Sequence, residues 1–268
     1  MRQLITITLN ETVTASNDRD AEVLRSRLRA AGCLLVNVMS SAGSGKTTLL
    51  SRLIRDLGEL RIGVMEADIE SDVDARRIEA LGARAIQVHT SGMCHMDAGM
   101  TAAAIEALDA LPAPIPPLLA GEGDRRTSGG GGVVPHSEAL AAGVVPHSEA
   151  VAAGVVPCDL IFLENVGNLI CPAEYDTGAG LNLMLLSVPE GDDKPLKYPL
   201  MFQKSDALVI TKIDALPWFD FNLEKCAARA KALNPHIQIF PVSAKTGEGM
   251  PALERWLSEQ LNDWRTRP

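Results

Sequence analysis

The chain has 268 residues, 46% hydrophobic but only 4% aromatic, so it can build one large domain or two small ones around an aliphatic core. A net charge of −9 without a basic stripe argues against a nucleic-acid-binding surface. No apolar run reaches the roughly 18 residues of a membrane span. Residues 1–20 also lack the apolar core of a secretion signal, so the expected setting is cytoplasmic.

In chain order, residues 17–31 read as an amphipathic helix that Ser16 or Asn17 can cap and Gly32 ends. Cys33 to Met39 (CLLVNVM) is a continuous apolar run, the pattern of a strand buried on both faces of a parallel sheet. A glycine-containing turn and a helix from about Lys46 to Leu57 follow. Ile62–Glu66 is a second buried strand, 74–81 a helix, 85–88 a short strand and 95–111 another helix. Further strands are predicted at 159–163, 183–188, 207–210 and 237–240, with helices at 222–233 and 250–264. Strands alternating with helices imply an α/β fold, a mostly parallel sheet flanked by helices. Residues 1–32 read as an N-terminal helical extension and 33–268 as one domain.

Residues 112–157 break this rhythm. They are rich in proline, glycine and alanine and carry an internal repeat with a period of 11 residues, VVPHSEALAAG at 133–143 and VVPHSEAVAAG at 144–154. The segment reads as a surface insertion. The repeat puts His136, His147 and Cys158 in register, which local duplication explains without a metal site.

The segment Ser40-Ser41-Ala42-Gly43-Ser44-Gly45-Lys46-Thr47-Thr48 lies between a buried strand and a helix, the context a phosphate-binding loop requires. Backbone N–H groups of Gly43, Ser44, Gly45 and the helix start would face phosphates. Lys46 would reach the β- and γ-phosphates, and the Thr47 hydroxyl would ligate Mg²⁺. Ser40 stands where the strict pattern has glycine.

Two later segments point to the base. Thr211-Lys212-Ile213-Asp214 follows one buried strand, and Ser243-Ala244-Lys245 follows the last. Asp214 can accept hydrogen bonds from guanine N1–H and the exocyclic amine, which adenine cannot supply as a pair. Lys212 would lie along the base, and the Ala244 N–H would reach guanine O6. GTP and GDP are therefore the expected ligands. Glu164-Asn165-Val166-Gly167 stands where a γ-phosphate-sensing loop belongs. In the acidic run Glu66–Asp74, any of Asp68, Asp72 and Asp74 could reach Mg²⁺ or orient water; Lys46, Asp68, Asp74 and Glu164 are the candidate catalytic groups. No arginine finger or catalytic glutamine is evident, so hydrolysis is expected to be slow.

Five cysteines in a reducing compartment are better read as thiols or metal ligands than as disulfides. Cys94-His95 is predicted to open a helix, where the thiol pKa would be lowered. Cys171 lies four residues beyond Gly167. Thiolate and imidazole suit Ni²⁺ or Zn²⁺.

Taken together, SSAGSGKTTLL, EADIESDVDARRIEALG, CHMDA, LIFLENVGNLICPAEYDTG, PLKYPLMFQKSDALVITKID and PVSAKTGEGM resemble the HypB family, the nickel-incorporation GTPases of nickel–iron hydrogenase maturation. The resemblance runs from about residue 17 to the end, except for 112–157. It implies a P-loop NTPase of the SIMIBI-type G-domain class and a GTP- or metal-dependent homodimer. It also implies a metal site of Cys94, His95 and Cys171 near the dimer interface. The implied partners are a second nickel metallochaperone and the hydrogenase large subunit. Accessory GTPases for urease or a cobalamin enzyme are the nearest alternatives. A urease-type protein would be expected to carry a Cys-Pro-His motif, whereas Cys94 and His95 are contiguous here. A passive metal-binding protein is the other alternative, and intact Lys46, Thr47 and Asp214 argue against it.

Overall fold

A computed structural model of the chain describes residues 11–67, 73–90, 92–111 and 158–266. The insertion at 112–157, with His136 and His147, lies outside the described residues, as do Asp68 and Asp72. Seven parallel strands form one sheet in the order β3-β2-β4-β1-β5-β6-β7. They are β1 (Leu34–Ser40), β2 (Ile62–Glu66), β3 (Arg84–Gln87), β4 (Leu160–Glu164), β5 (Leu181–Ser187), β6 (Ala207–Thr211) and β7 (Gln238–Pro241). The larger helices are α1 (Glu11–Ala30), α2 (Lys46–Asp56), α3 (Val73–Glu79), α4 (Ala98–Asp109), α8 (Leu223–Leu233) and α9 (Met250–Thr266). Three short ones, α5 (Cys171–Glu174), α6 (Lys194–Lys197) and α7 (Pro199–Lys204), were not anticipated; each has proline in its first turn, where a missing N–H costs nothing.

Strand alternation divides the core between the two faces of the sheet. Val36, Val38, Leu183, Leu185 and Val209 join one apolar cluster, with Leu49 and Leu53 of α2 and Leu253 and Leu257 of α9. Met39, Met184, Leu186, Leu208 and Ile210 join the other, with Phe202 of α7 and Cys226 of α8. Among the described residues, no helix is long and apolar enough to cross a membrane.

Three boundaries differ from the sequence reading. The first helix begins six residues earlier, at Glu11, so Asn17 is a buried mid-helix residue rather than a cap. Its Leu24 and Leu28 belong to the same core cluster as β1. The helix expected from His95 starts at Ala98, because Asp97 takes the N-cap and its side chain accepts the Met100 N–H. Cys94 and His95 therefore lie in the preceding turn. The fifth strand ends at Ser187, where Val188, Pro189 and Glu190 form a 3-10 turn with a capping box.

One ion-pair cluster ties the start of β4 to its neighbours. The Asp159 carboxylate accepts the backbone N–H of Arg61 at 3.0 Å and its guanidinium at 2.8 and 2.7 Å, and it also bonds Arg265 of α9. The Arg61 hydrogen bonds hold its pKa at about 2, below the ordinary 3.8. A depressed carboxylate pKa contributes stability that is present above the unfolded value and lost as pH falls through the folded one. Asp159→Ala should therefore cost about 1–3 kcal/mol at neutral pH by urea unfolding. Its difference from the native chain should shrink between about pH 4 and pH 2.

Candidate functional site

Because the strands are parallel, the loops after β1, β2, β4 and β6 emerge at one edge of the sheet. There the turn from Ser41 to Gly45 enters α2, with Gly43 at φ 73° and Gly45 at φ 95°. Those left-handed conformations suit glycine and turn the backbone toward the cleft. A cleft of about 450 Å³ is lined by Gly43, Gly45, Lys46, Thr47 and Thr48 from this loop. Glu66 and Ala67 after β2, Glu164, Asn165 and Gly167 after β4, and Lys212 complete it. Lys46 Nζ donates to Ser40 Oγ at 3.0 Å, and Ser44 Oγ to the same oxygen at 2.6 Å. Serine at position 40 thus orders the loop from within.

A second cleft of about 250 Å³ adjoins the first, sharing Gly45, Thr48 and Lys212, and reaches Ser44, Asp214, Ala244 and Lys245. Asp214 Oδ1 accepts from the buried Ser243 hydroxyl at 2.7 Å, which fixes the carboxylate's orientation. Thr211 Oγ1 donates to the Ser44 carbonyl and Lys212 Nζ to the Gly43 carbonyl, both at 2.7 Å. The end of β6 is thereby bolted to the turn after β1. Lys212 takes a left-handed backbone at φ 60° to do so.

The acidic groups are only partly placed. Thr47 Oγ1 donates toward the Glu164 carboxylate at 3.2 and 3.4 Å. Glu66, which the motif reading passed over, is buried beside Glu164 in strand register. Its strand-end position in an acidic run was the available signal. Hydroxyl and carboxylate oxygens in this corner form a hard donor set suited to Mg²⁺. Asp74 falls in the first turn of α3, and its side chain, like Asp68, lies outside the described residues.

Cys94, His95 and Cys171 come together from two loops, with ligand atoms all within 4.8 Å of one another. Cys94 Sγ lies 2.8 Å from Cys171 Sγ. The hydrogen bond from Cys94, with partial burial, raises the Cys171 thiol pKa. This corrects the expectation of a thiolate favoured by a long helix's N-terminus: Cys94 precedes α4, and α5 has only four residues. Burial lowers the His95 pKa, favouring the neutral ring that a metal requires. The ring stacks on Tyr175 at 3.8 Å and 12°, a contact no motif announced. Asn168 accepts the Cys171 N–H through Oδ1 at 3.3 Å and places its amide nitrogen 3.6 Å from Sγ. The other three cysteines are buried; burial pushes Cys158 up to about 11, so the repeat register ends in a core thiol.

The two sites are linked along one short loop. Gly167 lines the cleft, and a Cβ there would stand 3.0 Å from the Ala42 backbone nitrogen. Four residues later the same loop supplies Cys171.

Comparison with known proteins agrees with this arrangement. Residues 34–241 match the family described as "CobW/HypB/UreG, nucleotide-binding domain". Hydrogenase maturation factor HypB of Rhizobium leguminosarum bv. viciae is 40% identical over 258 residues, which cover 96% of this chain and 71% of that protein. The HypB of Azotobacter chroococcum mcd 1 is 38% identical over 255 residues, covering 95% of this chain and 69% of that protein. A crystal structure of Helicobacter pylori HypB in complex with nickel is 31% identical, with a TM-score of 0.73, over 94% of this chain and 99% of that one. The fold and its cleft are those of a P-loop GTPase-type nucleotide-binding domain, and this chain belongs to the HypB family of hydrogenase maturation factors.

If Asp214 reads guanine, Asp214→Asn should weaken GTP binding by about 2–4 kcal/mol, the cost of truncating a buried charged hydrogen-bond partner. The native chain should bind ATP far more weakly than GTP. Titrating both nucleotides into both proteins checks the assignment, and equal native affinities would reject it.

Proposed function

We propose that this chain hydrolyses GTP to GDP and phosphate and couples the cycle to nickel handling during maturation of a nickel–iron hydrogenase. Ni²⁺ is the cargo, held by Cys94, His95 and Cys171; Zn²⁺ suits the same donors. The observation that carries the reading is the single loop running from Gly167 in the nucleotide cleft to Cys171 in the thiol–imidazole cluster. The HypB–nickel complex named above supports the choice of metal.

On this reading the turn after β1 and the start of α2 hold the phosphates, with Lys46 on the β- and γ-phosphates. Thr47, with Asp74 and Glu164, would hold Mg²⁺, which when bound neutralises charge on the β- and γ-phosphates. Asp68 and Asp74 are the candidates to orient the attacking water. Lys212, Asp214, Ser243, Ala244 and Lys245 form the guanine end. When the γ-phosphate leaves, the Glu164–Gly167 segment loses a partner. Its backbone contact with Ala42 gives that loss a short path to Cys171.

Three donors from one chain leave a four-coordinate ion one position short. A two-fold dimer offers a second set from identical residues. We assign the chain to a homodimer in the cytoplasm, acting with a second nickel metallochaperone and the hydrogenase large subunit.

The first test is nickel titration of the native protein and of Cys94→Ala, His95→Ala and Cys171→Ala, with and without a non-hydrolysable GTP analogue. Each substitution should cost more than about tenfold in affinity, since even an outer-shell partner of a ligand is worth on the order of 10–100-fold. Native affinity should fall as pH drops, because the thiols release protons on binding and Cys171 starts from a raised pKa. Native-like binding in all three variants would remove the nickel reading.

The second test is Lys46→Ala, which should abolish phosphate release from GTP while leaving the circular-dichroism spectrum unchanged. Near-native turnover in a folded variant would reject the phosphate-binding assignment.

A further inference from the structure

We infer that Asn17 of α1 is a positioning residue for the Cys94–His95–Cys171 cluster, because its one side-chain amide ties together the two loops that supply the thiols. The inference rests on the reading of that cluster as a nickel site.

Asn17, Ala21, Leu24 and Leu28 form the buried stripe of α1, spaced four, three and four residues apart along one face. The other three are apolar. Only 9% of Asn17 is exposed, so its amide must find protein partners. Nδ2 donates to the Asp176 carbonyl at 2.9 Å, and Oδ1 accepts the Ala98 N–H at 2.9 Å. Ala98 is the first residue of α4, where an N–H has no partner within its own helix, and it lies three residues beyond His95. Asp176 lies five residues beyond Cys171 and follows Tyr175, the residue stacked on His95. The amide therefore bridges the end of the Cys94 loop to the end of the Cys171 loop.

The same helix grips the second loop twice more. Arg25 Nη2 contacts both Asp176 carboxylate oxygens at 2.8 and 2.7 Å, and its Nε donates to the Ala179 carbonyl at 3.1 Å. Gly178, at φ 77°, lies so close to α1 that a Cβ would stand 2.8 Å from Leu24 Cδ2. The loops also meet through Cys94–Cys171 and His95–Tyr175, contacts made by the ligands themselves. Those contacts must change when the thiols give up protons to a metal. The Asn17 amide does not titrate, so the spacing it sets persists through loading and release. Asn17 touches neither nucleotide cleft.

The test uses the full chain and four proteins: native, Asn17→Ala, Asn17→Asp and Cys171→Ala. Nickel affinity is read from the thiolate-to-nickel absorption band. The metal-free spacing of the thiols is read with phenylarsine oxide, whose arsenic bonds two neighbouring thiols with loss of one water. GTP affinity and melting temperature are the controls. Asn17→Ala should lose on the order of 10–100-fold in nickel affinity, the range for a residue that orients metal ligands, and should capture the arsenical more slowly. Its GTP affinity should stay native. Asn17→Asp can still accept the Ala98 N–H but cannot donate to Asp176, so it should fall between native and Asn17→Ala in both readouts. It also carries the test if Asn17→Ala fails to fold.

Native nickel affinity and arsenical capture in the Asn17 variants, with nickel binding lost in Cys171→Ala, would overturn the positioning role and leave the metal site standing. Equal losses of GTP and nickel affinity would show that Asn17 is a general stability residue and would also overturn it. Native nickel binding in Cys171→Ala would instead remove the site itself, and the proposal with it.

Discussion

Everything functional in this molecule depends on seven strands running the same way. A parallel strand is buried on both faces, and its carboxyl end delivers whatever follows to the same edge as its neighbours' ends. β1 sits at the centre, with β4 and β5 on either side, and is buried at every residue. The turn that follows it meets the loop after β4 on one side and the end of β6 on the other. Residues more than a hundred positions apart therefore share one cleft without any of them having to bend far from its strand.

That edge is stiffened by polar contacts threaded through an otherwise apolar sheet. Asn37 interrupts the hydrophobic run of β1, and its position explains the exception. Its Oδ1 accepts from Asn165 Nδ2 and its Nδ2 donates to Asn182 Oδ1, both at 3.0 Å, so a ladder of three amides crosses from the β4 loop through β1 to β5. A buried amide with unmet partners would be destabilising, so the satisfied ladder favours one register over its neighbours. It also fixes Asn165 at the root of the loop that ends in Cys171. The bolts from Thr211 and Lys212 to the Ser44 and Gly43 carbonyls do the same for the guanine end.

The thiol–imidazole cluster is built differently from the cleft. The cleft residues project from strand ends and helix starts, whereas Cys94, His95 and Cys171 sit on loops with little regular structure of their own. Such loops need support from outside, and α1 supplies it through Asn17 and Arg25. A first helix that reads as an appendage in the sequence thus shares the main core and underpins the second site. Burial of Leu24 and Leu28 anchors the helix, and its polar residues then reach the loops.

The sequence by itself determined the parallel α/β class, the phosphate-binding turn, the guanine-reading segments and the identity of the three candidate metal ligands. Each is carried by a local signal: an unbroken apolar run for a doubly buried strand, glycines where the backbone needs positive φ, and short motifs whose chemistry depends on neighbouring residues. Only the tertiary structure decided what depends on distant pairs. It put Cys94 in the turn before α4 because Asp97, three residues on, captures the helix cap. It made Asn17 a bridge rather than a cap, because the helix began earlier and turned that face into the core. It brought Tyr175 onto His95 and set Glu66 beside Glu164. Local periodicity contains no term for the packing of one element on another, so these contacts became definite only once the sheet had fixed where each loop emerges.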